Sequence, residues 1–168
     1  MKKLLLLIVI ASVPVFGFAQ KKVYAFKPKV SEFAPTSMHE GKSIKIEFRD
    51  ARIISSKSKV KTTFEDITSA ITESLKAAFP KASFVDGNSD ITIILKLEQY
   101  EVFARGVVWI GITKYQVGLK HGSDEIQQEI DGTHSEGNVL GMGTAKSVQQ
   151  KSFNEANNIL VKLLVDAM

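Results

Sequence analysis

The chain has 168 residues, enough for one domain with a sizeable core, and carries 22 basic against 18 acidic side chains with 44% hydrophobic residues. It contains no cysteine, which excludes disulfides, thiolate metal sites, a thiol nucleophile and a lipid-modified cysteine. Acids alternate with bases through most of the body, which excludes the concentrated basic face that a nucleic-acid binder needs.

Residues 1–19 have the three zones of a secretory signal. Lys2 and Lys3 start it, Leu4 to Phe18 is the apolar run, and Gly17 and Ala19 flank a small-residue cleavage site before Gln20. The run is short for a membrane span and Pro14 interrupts it, so an exported product without a stable membrane anchor is expected. Loss of Lys2 and Lys3 halves the charge excess. Residues 20–42, with Pro28 and Pro35, read as an extended lead-in with one short edge strand around Val23 to Phe26.

From there the pattern sharpens. Ile44, Ile46 and Phe48 alternate with Lys45, Glu47 and Arg49, which predicts a half-buried strand. A polar loop, Ser55 to Lys61, leads to a helix that starts at Thr62 or Thr63, with Thr62-x-x-Glu65 as a capping box. Phe64, Ile67, Ile71, Leu75 and Ala78 form one helical stripe, and Pro80 ends it. A short strand at Ser83 to Val85 and the turn Asp86-Gly87-Asn88 follow.

Ile91, Ile93, Leu95 and Leu97 then face one way in a long alternating run that turns at Arg105-Gly106. The next run, Val107 to Leu119, sets Trp109, Tyr115, Val117 and Leu119 on one side, with Trp109 expected in the core. After His121 to Asp124 comes a polar strand through Gly137, suited to a sheet edge. Phe153, Ala156, Leu160, Leu163 and Ala167 recur at helical spacing to the end of the chain. The order β-α-β-β-β-β-α predicts one α+β domain over residues 43–168. It has two layers, a mostly antiparallel four- to five-stranded sheet and two helices on one face.

Few residues suggest chemistry. "EGNVLGMGTAKSV", Glu136 to Val148, looks like a phosphate cradle, but the glycines of a G-x-x-x-x-G-K-S loop would fall on Leu140 and Ala145. Gly141 and Gly143 begin a dinucleotide pattern that meets Lys146 at its third place, with no strand beyond to complete a βαβ unit. The stretch reads as a turn and helix start, capped by Thr144 or Ser147. His39, His121 and His134 show no metal-ligand spacing, and no serine lies in a nucleophile elbow. Asp86 and Asp90 bracket a turn whose chemistry explains them, and Asp124 and Glu125 open a strand. No catalytic residue, metal or cofactor is expected.

Arg49, Asp50 and Arg52 stand apart, because charges here end a strand that otherwise alternates cleanly. They read either as a surface ion pair of little energetic weight or as a recognition patch at the sheet end. On the second reading Arg52→Glu abolishes partner capture and leaves stability nearly intact.

The D-x-R of Asp50-Ala51-Arg52, the helix "DITSAITESLKAAF", the strand "DITIILKLEQY" and the final "SFNEANNILVKLLVDA" together resemble the YajG-type envelope lipoproteins. More distantly they are similar to the lipoprotein activators of penicillin-binding proteins. The resemblance covers residues 42–168 and implies an α+β envelope domain without catalytic activity. Those lipoproteins carry a cysteine at the cleavage site where this chain has Ala19-Gln20, so the resemblance brings no lipid tether and leaves the lead-in a free arm. The expected role is a non-catalytic binding or adaptor domain, in the periplasm or secreted, whose partner is another envelope protein. The alternative is a carrier of a small ligand or amphiphile, which requires an apolar pocket between helices and sheet.

Overall fold

A computed structural model describes residues 23–137 and 144–167. The expected signal segment and the Gly141–Gly143 loop lie outside the described residues. The elements are β1 (Tyr24–Ala25), β2 (Ser43–Asp50), β3 (Val60–Lys61), α1 (Phe64–Ala78), β4 (Ser83–Phe84), β5 (Ile91–Arg105), β6 (Val108–His121), β7 (Asp124–Gly137) and α2 (Ala145–Asp166). Five strands form one sheet in the order β4-β2-β5-β6-β7, while β1 and β3 pair separately in parallel. β2 runs parallel to both β4 and β5, and β5, β6 and β7 form an antiparallel meander. The predicted α+β architecture is therefore the one observed. The early short strand does form, but beside β3 and not on the main sheet.

Local chemistry sets the element ends. Thr63 caps α1, its Oγ1 accepting from the Asp66 amide at 3.1 Å and donating to the Asp66 carboxylate at 2.7 Å. The expected box at Thr62 and Glu65 thus sits one residue later. α1 ends at Ala78, two residues before Pro80, which has no N–H to continue the ladder. Thr144 caps α2 by accepting from the Ser147 amide, so the glycine-rich stretch does run into a capped helix.

Both helices cover the same sheet face. Ile67, Ile71 and Leu75 of α1 and Phe153, Ala156 and Leu160 of α2 join Ile44, Ile93, Leu95, Tyr115 and Val117 in one buried cluster. A smaller cluster of Val60, Val102, Ala145 and Val148 continues it, with Trp109 packed against it as expected. Two glycines decide how closely α2 approaches. A Cβ on Gly132 would lie 2.3 Å from the Ser152 carbonyl oxygen, and one on Gly111 would lie 2.8 Å from that of Val148. Bare backbone on β6 and β7 is what lets the helix backbone settle there.

The lead-in is not a free arm. Pro28 and Ser31 are buried, and Phe26, Phe33 and Met38 pack against the core. Ser31 fastens the segment to both helices: its amide donates to Ser74 Oγ at 2.9 Å, and its hydroxyl donates to Asn154 Oδ1 at 2.9 Å. Asn157 Nδ2 donates to the same hydroxyl at 3.0 Å, while Asn157 Oδ1 accepts from the Tyr115 hydroxyl at 3.3 Å. A buried polar chain therefore runs from lead-in through α2 to the sheet. Each member satisfies another, which removes the penalty of burying it.

Candidate binding surface

Among the described residues, no helix covers the opposite face of the sheet. Strand alternation places Lys45, Glu47 and Arg49 of β2 there, with Ile94 and Lys96 of β5, Lys114, Gln116 and Lys120 of β6, and Glu125, Gln127 and Glu129 of β7. Charges pair across and along the strands. Lys114 reaches Asp131 at 2.6 Å, Lys45 reaches Glu47 at 2.9 Å, Lys96 reaches Glu98 at 3.0 Å, and Lys120 reaches Glu125 at 3.6 Å. Burial raises the Asp131 carboxyl, but hydrogen bonds from Lys114 and Thr133 outweigh it and hold the group below its ordinary value. The same hydrogen bond raises Lys114.

A shallow depression of about 470 Å³ lies in this face, lined by Arg49, Ile94, Lys96, Gln116, Gly118 and Gln127 among others. Gly118 makes it. Opposite Ile94 in the register, it contributes no side chain, and a Cβ there would only touch Ile94 at 3.5 Å. β7 bounds the depression and is the sheet's free edge, fourteen residues long. It bears Asp124, Glu125, Glu129, Asp131 and Glu136 and no lysine or arginine.

The structure does not bring the three sequence-nominated residues together. Arg49 is exposed and belongs to the open face. Asp50 has the opposite strand parity, and Arg52 turns toward the helix side. Arg52 Nε and Nη2 grip the Asp50 carboxylate at 2.7 and 2.8 Å, Nη1 donates to the Thr62 carbonyl at 3.3 Å, and the guanidinium lies 5.6 Å from the Phe64 ring centroid. Only 8% of the Arg52 side chain is exposed, against 38% for Asp50. The hydrogen bonds from Arg52 hold the Asp50 carboxyl below its ordinary value. A bidentate clamp of this kind joins the end of β2 to the start of α1. Arg52 is thus engaged in the fold and not free at the surface, so its reversal is expected to cost stability.

Gly118 and Ile94 were not legible as site residues. Their only sequence signal is a glycine at an outward position of a strand beside an apolar residue on another polar-facing row. The histidines are dispersed: His39 Nε2 meets the Leu164 carbonyl at 3.1 Å, His121 sits at the β6–β7 turn, and His134 pairs with Gly111 in the register. Among the described residues no three His, Asp or Glu side chains converge as metal donors. No described helix is long and apolar enough to cross a membrane.

The fold is shared with solved bacterial proteins. Protein XCC0632 of Xanthomonas campestris, described as a DUF330 family member, superposes with a TM-score of 0.51 at 11% identity, covering 87% of this chain and 96% of its own. An uncharacterised protein superposes with a TM-score of 0.55 at 5% identity over 88% and 99% of the two chains. The rare lipoprotein B of Shewanella oneidensis gives a TM-score of 0.41 at 12% identity over 74% and 92%. No family model and no curated protein matches the sequence. At such identities the likeness to the first two shows the fold alone.

Proposed function

We propose that this chain is an exported, non-catalytic adaptor of the cell envelope that binds another envelope protein through the open sheet face and the β7 edge. The observation that carries the reading is the one-sidedness of the sheet. Two helices and the lead-in cover one face, while the other offers a depression rimmed by charge and a long edge strand to whose outer side no other described strand pairs. An extended segment of a partner can add to such an edge, with its side chains read by the adjoining face. Acidic β7 favours a basic partner strand. The envelope setting rests on the signal-like residues 1–19 and on the YajG-type resemblance, to which the lipoprotein names among the solved structures add company.

The carrier alternative has less support, because α2 lies against Gly111 and Gly132 where a pocket between helices and sheet would open. A photo-crosslinking residue at Gln127, compared with one at Lys162 on the outer side of α2, tests the adaptor in cells. The expected result is one recurrent envelope protein captured from Gln127 only and lost on Arg49→Glu. Capture of the same set from both positions sinks the proposal.

A further inference from the structure

The three most exposed large hydrophobic side chains among the described residues lie in two connections beside the outer half of β5: the loop after β2, whose last residue pairs with Leu97, and the β5–β6 turn that begins eight residues further along β5. Ile53 is 90% exposed, Ile54 74% and Val107, at the β5–β6 turn, 68%. The 51–59 loop is held against β5 by two backbone hydrogen bonds, from the Ala51 amide to the Leu97 carbonyl and from the Lys59 amide to that of Val102. Val102 is three residues short of Arg105, so the loop's return and the turn are separated by roughly 10 Å. Both project from the same rigid strand.

The loop and the turn themselves carry charge of one sign, while the neighbouring acids Asp50 and Glu136 are paired with Arg52 and Lys151. The chain has no acidic residue from Ala51 to Phe64, and none from Val102 to Ser123. Lys57, Lys61 and Arg105 are exposed and Lys59 is half-buried. Among the described residues these four have no ion-pair partner, whereas Lys45, Lys96, Lys114 and Lys120 of the open face are each paired. Arg52 is committed to Asp50.

We propose that the 51–59 loop and the Arg105–Val107 turn form a foot that docks reversibly on an anionic lipid bilayer. Ile53, Ile54 and Val107 enter the boundary between headgroups and acyl chains, and Lys57, Lys59, Lys61 and Arg105 lie over the lipid phosphates. The shape decides for lipid over protein. A stable protein contact wants a contiguous patch of about 800 Å² on each partner. A lipid interface accepts isolated apolar tips, and long cationic side chains can spread along it while keeping their charge among headgroups. The foot is a different surface from the open face, so the two readings can fail separately.

The cysteine-free sequence supplies the test. The full chain is labelled with an environment-sensitive dye at Ile54→Cys and, as a control on the open face, at Gln127→Cys. Because each dye reports its own surroundings, contacts made elsewhere in the chain do not imitate a foot signal. With phosphatidylglycerol vesicles the dye at position 54 shifts to the blue and is quenched by brominated lipid, while the dye at position 127 is unchanged. Pure phosphatidylcholine vesicles give little response. Adding Lys57→Gln and Lys61→Gln weakens partitioning on the order of thirtyfold, as expected for the electrostatic share of two basic side chains. No shift at position 54 overturns the proposal. So does an equal shift at position 127, an equal response to both vesicle types, or a shift evoked only by a purified envelope protein, which would make the loop a protein contact.

Discussion

On its helix side the sheet meets α2 so closely that Gly111 and Gly132 have no room for a methyl group, and every contact there depends on several others. On its open side Lys96 and Lys114 stand over the strands in pairs that water surrounds. The same strands make both faces, because successive side chains point opposite ways. The difference teaches where stability resides. Apolar contact and buried hydrogen bonds hold the fold from one side, which leaves the other free to vary its charges at little energetic cost.

The sharpest way to break this asymmetry is Leu160→Asp. Leu160 is fully buried beneath the sheet, so an unpaired carboxylate there should cost more than about 4 kcal/mol and unfold the domain. Circular dichroism at room temperature reads this directly, and a cooperative wild-type melt would contradict the placement of α2. Gly132→Ala comes next. Its Cβ meets backbone and not a flexible side-chain end, so a loss of about 3 kcal/mol in urea unfolding is expected. A neutral result would mean that α2 can lift away from β7.

Arg52→Glu should cost about 1–2 kcal/mol, less than a fully buried pair because Asp50 remains in contact with water. Unchanged stability would return Arg52 to the role of a free contact residue. A pH series probes the lead-in. Burial lowers the His39 imidazole below its ordinary value, opposed by its hydrogen bond to the Leu164 carbonyl and aided by His121 and Lys42 nearby. The unfolded chain then takes up the proton first. The His39 contribution is complete above about pH 6.5 and is lost as pH falls through the folded-state value. His39→Asn tolerates the backbone φ of 62° and should flatten the decline in melting temperature between pH 7.5 and 5.5. Lys114→Ala marks the small end of the scale. It removes an exposed pair from the open face and should shift stability by no more than about 0.5 kcal/mol.

Most of the architecture was legible because each element repeats its own period. Alternation in β2, β5 and β6, the stripe of α1 and the polar run of β7 gave the element order and the edge position without reference to any partner. The capping register was harder: Thr62 and Thr63 both offer a hydroxyl before an acid three residues on, and only the backbone geometry selects Thr63. Nothing in the spacing of Ser31, Asn154 and Asn157 says that one bond closes across 126 residues. The residues that the sequence nominated for recognition divided for the same reason. Arg49, Asp50 and Arg52 are neighbours in the chain, but a strand sends neighbours to opposite faces and the turn after Asp50 carries Arg52 back to α1.

By itself, then, the sequence determined the periods, the turns, the absence of thiol chemistry and the mixed charge, because each depends on residue type at short range. Tertiary structure alone decided that the lead-in is clamped between two helices, that two glycines set the helix-to-sheet distance, and that Gly118 opens a depression beside Ile94. It also decided that unpaired cations and bare isoleucines meet beside the outer half of β5. These are relations between residues far apart in the chain, and only the paired strands fix which of them become neighbours.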